Sequence, residues 1–232
     1  MARPGEPLSL RCHWRAATRR AYTYAVPVHV IDHPIVHDIL LKLRDVSTDP
    51  DMFRAMSRRI SLLIAAEATR DLPRRPASVR TPLAEAQGHE MAAEVVIVPV
   101  LRAGLGMLDA VLDIVPRAKV GHIGLQRDET TAIASQYYAK FPASLEHCCV
   151  FIVDPMLATG GSAIAAVDLL RTKGARDIRL LCIVAAPEGV AAVQGRFPEV
   201  KIYTPVIDAH LNSQKFIVPG LGDFGDRLFG TE

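Results

Sequence analysis

The hydrophobic positions of the chain change repeatedly between helical spacing and the short runs that are typical of buried strands. Pro34 opens a segment whose apolar residues recur every 3.6 positions, and Asp49 has the position of an N-cap for a second helix. A polar, proline-containing stretch follows at 74–90, and helical spacing returns at 104–114 and 162–173. Apolar runs predict strands at Val95–Val100, Lys119–Leu125, Val150–Val153, Ile178–Val184 and Lys201–Thr204.

This alternation of strands with helices of 10–14 residues predicts βαβ units. The expected fold class is therefore α/β, with a mostly parallel sheet flanked by helices. Right-handed crossovers place the loops at the carboxyl ends of the strands on one edge, which is where open α/β sheets bind ligands. Residues 128–145 form a long polar segment without a clear period, which predicts either a lid over that edge or an exposed hairpin.

Composition and charge exclude several classes of protein. The chain has 232 residues, of which 50% are hydrophobic and 22% charged, so long disorder, a collagen-like repeat and a coiled coil are excluded. The net charge of +2 gives no general attraction to nucleic acid or membranes. Residues 1–25 contain five arginines against one glutamate, a charge of +4 that leaves −2 for the rest. We therefore expect a flexible basic extension at 1–25 and a single domain at 26–232.

The same composition indicates a cytoplasmic protein. No apolar run approaches the roughly 18 residues that a membrane helix needs, and Arg19-Arg20 lacks the apolar segment of an export signal. The arginine-rich start also fits a transit peptide, which composition leaves open. The four cysteines show no C-x-x-C spacing and are typical of small buried residues in a reducing compartment.

The strongest chemical signal follows the strand at 150–153, which delivers Asp154 to its carboxyl end. Gly160-Gly161 allow backbone N–H groups to converge, Thr159 and Ser162 add hydroxyls, and the next helix adds partial positive charge. These features favour a phosphate, whereas the carboxylate of Asp154 suits sugar hydroxyls, so the turn predicts a sugar phosphate site. The alternative is an ordinary glycine-rich turn with a capping hydroxyl.

Two further segments carry candidate binding residues. Arg102 follows the strand at 95–100 and can bind a phosphate with two hydrogen bonds, while Gly104 permits close backbone approach. Arg127 follows the next strand and is expected at the same edge of the sheet. Near the C-terminus, backbone groups around Gly220 and Gly222 offer hydrogen bonds to the edge of a flat ligand, although a turn-rich tail has the same composition.

Five blocks of the chain resemble successive blocks of uracil phosphoribosyltransferase, in that family's order. They are VPVLRAGLGM (98–107), GLQRDETT (124–131), IVDPMLATGGS (152–162), AAPEGV (185–190) and VPGLGDFGDRLFGT (218–231). The resemblance implies transfer of phosphoribose from 5-phospho-α-D-ribose 1-diphosphate (PRPP) to N1 of uracil, which gives UMP for pyrimidine salvage and releases diphosphate. It also implies a type I phosphoribosyltransferase fold with a β-rich lid loop and a small C-terminal hood at about 204–232.

The resemblance also implies the site residues. PRPP would be held by Arg102, Arg127, Asp154, Pro155, Met156, Leu157, Ala158, Thr159, Gly160, Gly161, Ser162 and Asp223. Uracil would lie against Ile217, Gly222, Asp223 and Phe224, and the catalytic residues would be Asp154, Arg127 and Asp223. Mg²⁺ would bind through PRPP with no direct protein ligand. GTP would be a candidate activator, and the protein would be a homodimer or a higher homo-oligomer.

Two rival functions remain at this point. An RNA-binding or uracil-sensing regulator on the same fold would need a continuous basic face, whereas residues 26–232 carry a net charge of −2. An enzyme acting on another base would differ at residues 216–224, which match the uracil block. We therefore expect uracil and PRPP as partners, and neither nucleic acid nor a membrane.

Overall fold

The structure is a computed structural model, and it describes residues 28–127 and 134–231. The expected extension at 1–25 and the tip of the 128–145 segment therefore lie outside the described residues. The helices are α1 (Pro34–Arg44), α2 (Pro50–Ala68), α3 (Leu105–Ile114), α4 (Gly161–Thr172), α5 (Pro187–Arg196) and α6 (Phe224–Phe229).

Among the described residues, the strands comprise eight with four residues or more and others with two or three. They are β1 (Val28–Val30), β2 (Arg74–Arg80), β3 (Glu85–Met91), β4 (Glu94–Leu101), β5 (Lys119–Val120), β6 (His122–Arg127), β7 (Ala134–Lys140), β8 (Cys148–Val153), β9 (Met156–Leu157), β10 (Asp177–Leu181), β11 (Val184–Ala185), β12 (Lys201–Thr204), β13 (His210–Leu211) and β14 (Ile217–Val218).

The helix starts agree with the sequence signals. Pro34 is the first residue of α1, where its missing N–H costs no hydrogen bond. Asp49 caps α2, since its Oδ1 accepts a hydrogen bond from the N–H of Met52 at 2.8 Å. The helices predicted at 104–114 and 162–173 are present as α3 and α4, within one residue at each end.

Two strand predictions need correction, and one hairpin was not predicted. The strand expected at Lys119–Leu125 is divided into β5 and β6 at Gly121, which belongs to neither strand, although its N–H still donates to the carbonyl of Ile97 on β4 at 2.9 Å. The strand expected at Ile178–Val184 ends at Leu181, after which the N–H of Ile183 donates to the carbonyl of Pro155 and β11 begins. The polar stretch at 74–90 forms the antiparallel hairpin β2–β3, which was missed because nearly all its residues are exposed and no buried face sets a pattern.

The main sheet has the order β1-β12-β10-β8-β4-β6-β7, with β5 also beside β4. All its pairs are parallel except β6–β7, so the predicted mostly parallel sheet is confirmed. β8, β4 and β6 are neighbours and run in the same direction. Their carboxyl ends, which carry Asp154, Arg102 and Arg127, therefore lie at one edge of the sheet.

Two apolar layers cover the sheet, and β4 contributes to both of them. Val95 and Ile97 pack on the side that holds α1, α2, α3 and α6. Val96 and Val98 point to the opposite side, against residues of α4 and α5. Burial on both faces explains why β4 reads as a continuous apolar run rather than as an alternating pattern.

The described cysteines agree with the expectation of buried thiols. Cys148, Cys149 and Cys182 are free and buried, and burial raises the pKa of Cys182 to about 12. Cys12 lies outside the described residues. Within 28–127 and 134–231, none of the helices combines the length and the apolar character needed to cross a bilayer.

Arg179 on β10 is buried and joins the end of α2 to the sheet, at the sheet edge opposite the one that carries Arg102 and Arg127. Arg179 is 2% exposed, and it donates to the carbonyl of Ala68 at 2.6 Å and to the carboxylate of Asp71. Lys201 Nζ donates to the second oxygen of Asp71 at 2.6 Å. The Lys201 hydrogen bond, followed by those from Arg179, lowers the pKa of Asp71 from 3.8 to about 2 against the opposing effect of burial.

This lowered pKa predicts how stability depends on pH. Because the pKa of Asp71 is lower in the folded state, Asp71 contributes to the free energy of unfolding above about pH 4, and this contribution is lost as the pH falls toward 2. Asp71→Asn should lower the free energy of unfolding at pH 7 by about 1 kcal/mol. This is less than the pKa shift alone would give, because the carboxylate is half exposed and solvent screens its interactions. Urea unfolding at pH 7 and pH 3 measures this difference, which should fall to about half at pH 3.

The matched control for this prediction is Asp38→Asn, since Asp38 forms an exposed pair with Lys42. It should change the free energy of unfolding little at either pH. A difference between wild type and Asp71→Asn that stays constant from pH 7 to pH 3 would contradict the assignment.

Candidate active site

The turn at residues 154–162 connects β8 to α4 and forms the base of the candidate site. Gly160 has a φ of 83°, which favours glycine, and a Cβ there would also be crowded, at 3.0 Å from the carbonyl oxygen of Gly189. The first hydrogen bond of α4 runs from the N–H of Ile164 to the carbonyl of Gly160 at 2.8 Å. The N–H groups of residues 161–163 therefore have no acceptor within the helix, which favours an anion.

A small hollow lies within this turn, as the sequence predicts. It is lined by Asp154, Met156, Leu157, Ala158, Thr159, Gly160, Gly161, Ser162, Ala163 and Leu180. Pro155 is the one predicted turn residue that does not line it. Pro155 is buried behind the turn, where its carbonyl accepts hydrogen bonds from Ile183 and Val184 at 2.9 and 3.0 Å. Together with the β9–β11 pair, these bonds fix the turn to the segment that follows β10.

Arg102 lies on the neighbouring loop, directly after β4. Its side chain is 60% exposed, its Nη2 is 3.3 Å from Oδ1 of Asp226, and the guanidinium lies 5.9 Å from the ring centre of Phe229. Gly104 permits the close backbone approach that the sequence predicts, but the approach is to the protein itself. A Cβ at Gly104 would lie 2.4 Å from the carbonyl oxygen of Val153.

The second predicted arginine is placed only in part. Arg127 is the last residue of β6, and its backbone pairs with Ala134 of β7. Its side chain lies outside the described part of the structure. The strands on either side of residues 128–133, β6 and β7, are antiparallel as far as Arg127 and Ala134, while the lid function of the 128–145 segment stays a prediction. Tyr137 on β7 lies against Gly124, where a Cβ would be 2.4 Å from its ring.

The 215–225 loop, which contains the predicted base-binding residues, faces the same edge. Ile217 begins β14, which pairs with β13, and the N–H of Asp226 donates to Oδ1 of Asp223 at 3.0 Å, so Asp223 caps α6. Phe224 is buried, with its ring centre 5.1 Å from that of Phe53 on α2. The loop is thus anchored in the apolar layer beneath it.

A cleft of about 250 Å³ joins these three segments. Its lining includes Arg102, Asp154, Met156, Ala158, Ser162, Ile217, Gly222, Asp223 and Phe224. Four of these residues, Asp154, Met156, Ala158 and Ser162, also line the hollow of the 154–162 turn. The cleft therefore offers an anion site in the turn, a guanidinium on the next loop, and a backbone-rich wall opposite them.

Several cleft residues were not among the predicted site residues, although Phe216 lies in the 216–224 segment that was expected to set the choice of base. Lys215, with a φ of 68°, and the exposed Phe216 complete the wall formed by the 215–225 loop. The turn before them is held by Asn212, whose Oδ1 accepts hydrogen bonds from the N–H groups of Gln214 and Phe216. The signal that could have found this turn is the polar Asn-Ser-Gln-Lys run between two short apolar segments. Leu125 and Ala103 line the cleft as well.

Comparison with known proteins shows which family this chain belongs to. A family model described as uracil phosphoribosyltransferase matches residues 30–231. The uracil phosphoribosyltransferase of Dictyoglomus turgidum is 52% identical over 206 residues, which cover 88% of this chain and all of that protein. The one from Lactiplantibacillus plantarum is 48% identical over 204 residues, covering 88% of this chain and 98% of that protein.

A solved structure has a similar fold over most of this chain. The AQ2163 protein from Aquifex aeolicus superposes with a TM-score of 0.85 and is 33% identical, covering 89% of this chain and 99% of its own. The five sequence blocks and the mostly parallel sheet agree with the family match and with these relatives. The chain therefore belongs to the uracil phosphoribosyltransferase family.

Proposed function

We propose that the cleft between the 154–162 turn, Arg102 and the 215–225 loop is the active site of this enzyme. As a member of its family, the chain is a pentosyltransferase: it transfers the 5-phosphoribosyl group of PRPP to N1 of uracil and releases diphosphate. The observation that carries the assignment of the site is that one cleft joins the phosphate-binding turn, an exposed guanidinium and the loop proposed to bind the base.

The sugar end of PRPP occupies the 154–162 turn. The 5-phosphate accepts hydrogen bonds from the N–H groups at the start of α4, where the helix dipole also favours negative charge. Asp154, at the junction of the hollow and the cleft, accepts hydrogen bonds from the ribose hydroxyls. As the bond from C1′ to the diphosphate breaks, positive charge grows on the sugar, and the nearby carboxylate of Asp154 stabilises it.

The leaving diphosphate lies against Arg102 and Arg127. Arg102 is held beside Asp226 by a single contact of 3.3 Å, so its exposed guanidinium can still donate to phosphate oxygens. Pro155 leaves Asp154 as the one carboxylate in this stretch of turn, and the hard oxygens of PRPP suit Mg²⁺, so the ion would be held through the substrate rather than by protein ligands. The bound ion would neutralise part of the charge on the diphosphate.

Uracil lies between the sugar and the 215–225 loop. Its imide edge presents alternating donors and acceptors, which the backbone groups near Ile217 and Gly222 match without a charged side chain. Asp223 faces both the base and PRPP, while Phe224 anchors the loop beneath the base. We assign the hood at about 204–232 as the cover of the base and the segment at 128–145 as the lid, within a catalytic domain at 26–232; residues 128–133 of that segment lie outside the described part of the structure.

The hairpin β2–β3 supports a homodimer. Its two strands pair only with each other among the described residues, and an isolated two-stranded hairpin is marginally stable in water. It exposes apolar side chains, with Leu83 97% exposed and Val79 63% exposed. We therefore assign the hairpin to contact with a second copy of the chain. A cytoplasmic location agrees with the buried free thiols.

A nucleobase assay tests the function directly. The protein is mixed with PRPP, Mg²⁺ and either uracil, cytosine, hypoxanthine or orotate, and the nucleotide product is measured by chromatography. UMP should form with uracil, and the other three bases should give no product. Nucleotide from another base instead of uracil, or retention of RNA without turnover, would refute the assignment. Repeating the uracil reaction with GTP tests the activator that the family resemblance implies.

Asp154→Asn tests the proposed role of the carboxylate. Removing its negative charge beside the developing sugar cation should lower kcat by a factor on the order of 10²–10³, with the melting temperature nearly unchanged. Steady-state kinetics with uracil and PRPP measure this effect. Asp168→Asn on α4, which loses only an exposed pair with Arg196, is the matched control and should retain wild-type rates. Unchanged turnover in Asp154→Asn would show that Asp154 has another role.

Replacing apolar hairpin residues tests the dimer. Light scattering after size-exclusion chromatography should give the mass of at least two chains for the wild type. Val79→Glu combined with Leu83→Glu places charges in the proposed interface and should shift the mass toward that of one chain. Val46→Glu, at a residue that is 95% exposed in the α1–α2 connection, is the control and should leave the mass unchanged. A dimer that survives both hairpin charges would exclude this interface.

A further inference from the structure

An arginine and an aspartate far apart in the sequence hold one peptide of the 215–225 loop. Arg44 at the end of α1 donates through Nη1 and Nη2 to the two carboxylate oxygens of Asp208, at 2.9 and 2.7 Å. The same Nη1 donates to the carbonyl of Gly220 at 2.9 Å, and the N–H of Gly220 donates to Oδ2 of Asp208 at 2.8 Å. Both polar groups of Gly220 are therefore bound by this pair.

Arg44 and Asp208 are largely shielded from solvent, which strengthens their hydrogen bonds to each other and to Gly220. The side chain of Asp208 is 4% exposed and that of Arg44 is 23% exposed. A bidentate contact between guanidinium and carboxylate fixes both orientation and distance, which a lysine at the same place cannot do. Gly220 itself has a φ of 61°, and a Cβ there would lie 2.1 Å from the carbonyl oxygen of Ile217. The position of Gly220 therefore also sets the position of Ile217, a proposed uracil contact.

A second arginine extends this attachment along the loop. Arg227 donates to the carbonyl of Leu221 at 2.9 Å and to that of Asp45 at 2.6 Å, and its guanidinium lies 4.4 Å from the ring centre of Phe53. The loop is thus tied to the end of α1 and to the connection that follows it. The hydrogen bonds that hold the loop thus come from side chains on α1 and α6, whereas the 154–162 turn is held by the pairing of β9 with β11.

A second cavity borders the same loop. Its volume is about 430 Å³ and its lining includes Arg44, Gly220 and Arg227, while Gly222 and Asp223 line both this cavity and the cleft. Without the pair of Arg44 and Asp208, the loop could move into this cavity. A site that reads a base through backbone groups depends on their placement to within about 0.5 Å, so such a movement would weaken base binding first.

We propose that Arg44 and Asp208 are positioning residues that set the affinity of the enzyme for uracil by fixing the peptide of Gly220. The inference rests on the proposed function, which places uracil against Ile217, Gly222 and Asp223. Neither Arg44 nor Asp208 lines the cleft, so they act through the loop rather than by contact with substrate. PRPP binds mainly to the 154–162 turn and to the loop after β4, so its affinity is largely independent of the pair.

Conservative variants test the proposal while retaining the fold. Arg44→Lys keeps the positive charge opposite Asp208 but loses the fork that reaches both the carboxylate and Gly220. Asp208→Asn keeps an acceptor for the N–H of Gly220 but loses the charge. In each variant the KM for uracil should rise at least tenfold, while kcat at saturation and the KM for PRPP stay within about threefold of the wild type.

The control and the double variant sharpen the result. Lys42→Gln removes an exposed pair with Asp38 on the same helix and should leave both KM values unchanged. The double variant of Arg44→Lys and Asp208→Asn should raise the KM for uracil about as much as the larger single effect, since the two side chains act as one unit. Melting temperatures are measured for every variant, and if Asp208→Asn does not fold, Arg44→Lys decides alone.

Several outcomes would overturn the proposal. Folded variants with an unchanged KM for uracil, or with KM values for uracil and PRPP that rise by the same factor, would assign the pair to general stability. Failure of both conservative variants to fold would lead to the same conclusion. A wild-type protein that makes no UMP would instead refute the proposed function, so the two failures are distinguishable.

Discussion

Parallel pairing of β8 with β4 is the constraint on which the rest of the molecule depends. It brings the carboxyl ends of two strands, separated by some fifty residues of chain, to within one strand spacing of each other. Asp154 and Arg102 are the first residues beyond those ends. The carboxylate and the guanidinium thus share a cleft because the pairing of the two strands places them side by side. Apolar layers bury both faces of these strands.

The opposite wall of the cleft has a different origin. The 215–225 loop belongs to no strand of the main sheet, and its position comes from the helical layer, through Phe224 against Phe53 and through the arginines that bind its carbonyls. One wall is therefore fixed by β-sheet hydrogen bonds and the other by side chains reaching from α1 and α6. This division separates the part of the cleft that we propose for the sugar donor from the part that we propose for the base.

Sequence reasoning predicted the features that local patterns encode. The apolar run at 95–100, the N-cap Asp49 and the glycine turn after Asp154 each follow from a few adjacent residues, and the structure has all three where they were expected. The contact between Arg44 and Asp208 joins residues 164 positions apart, and no local pattern records it. The hairpin β2–β3 was missed for the opposite reason, because strands exposed on both faces carry no alternation of apolar and polar residues.

The contact between Gly104 and Val153 has a consequence for the range of donors that the enzyme can accept. With 2.4 Å between the carbonyl oxygen of Val153 and the place of a Cβ at Gly104, the loop that bears Arg102 and the strand that leads into the 154–162 turn touch through their main chains. In the proposed site, the distance between the loop that bears Arg102 and the 154–162 turn is consequently set by main-chain contact. Substitutions of surface side chains would therefore leave the length of sugar donor that this site accepts unchanged.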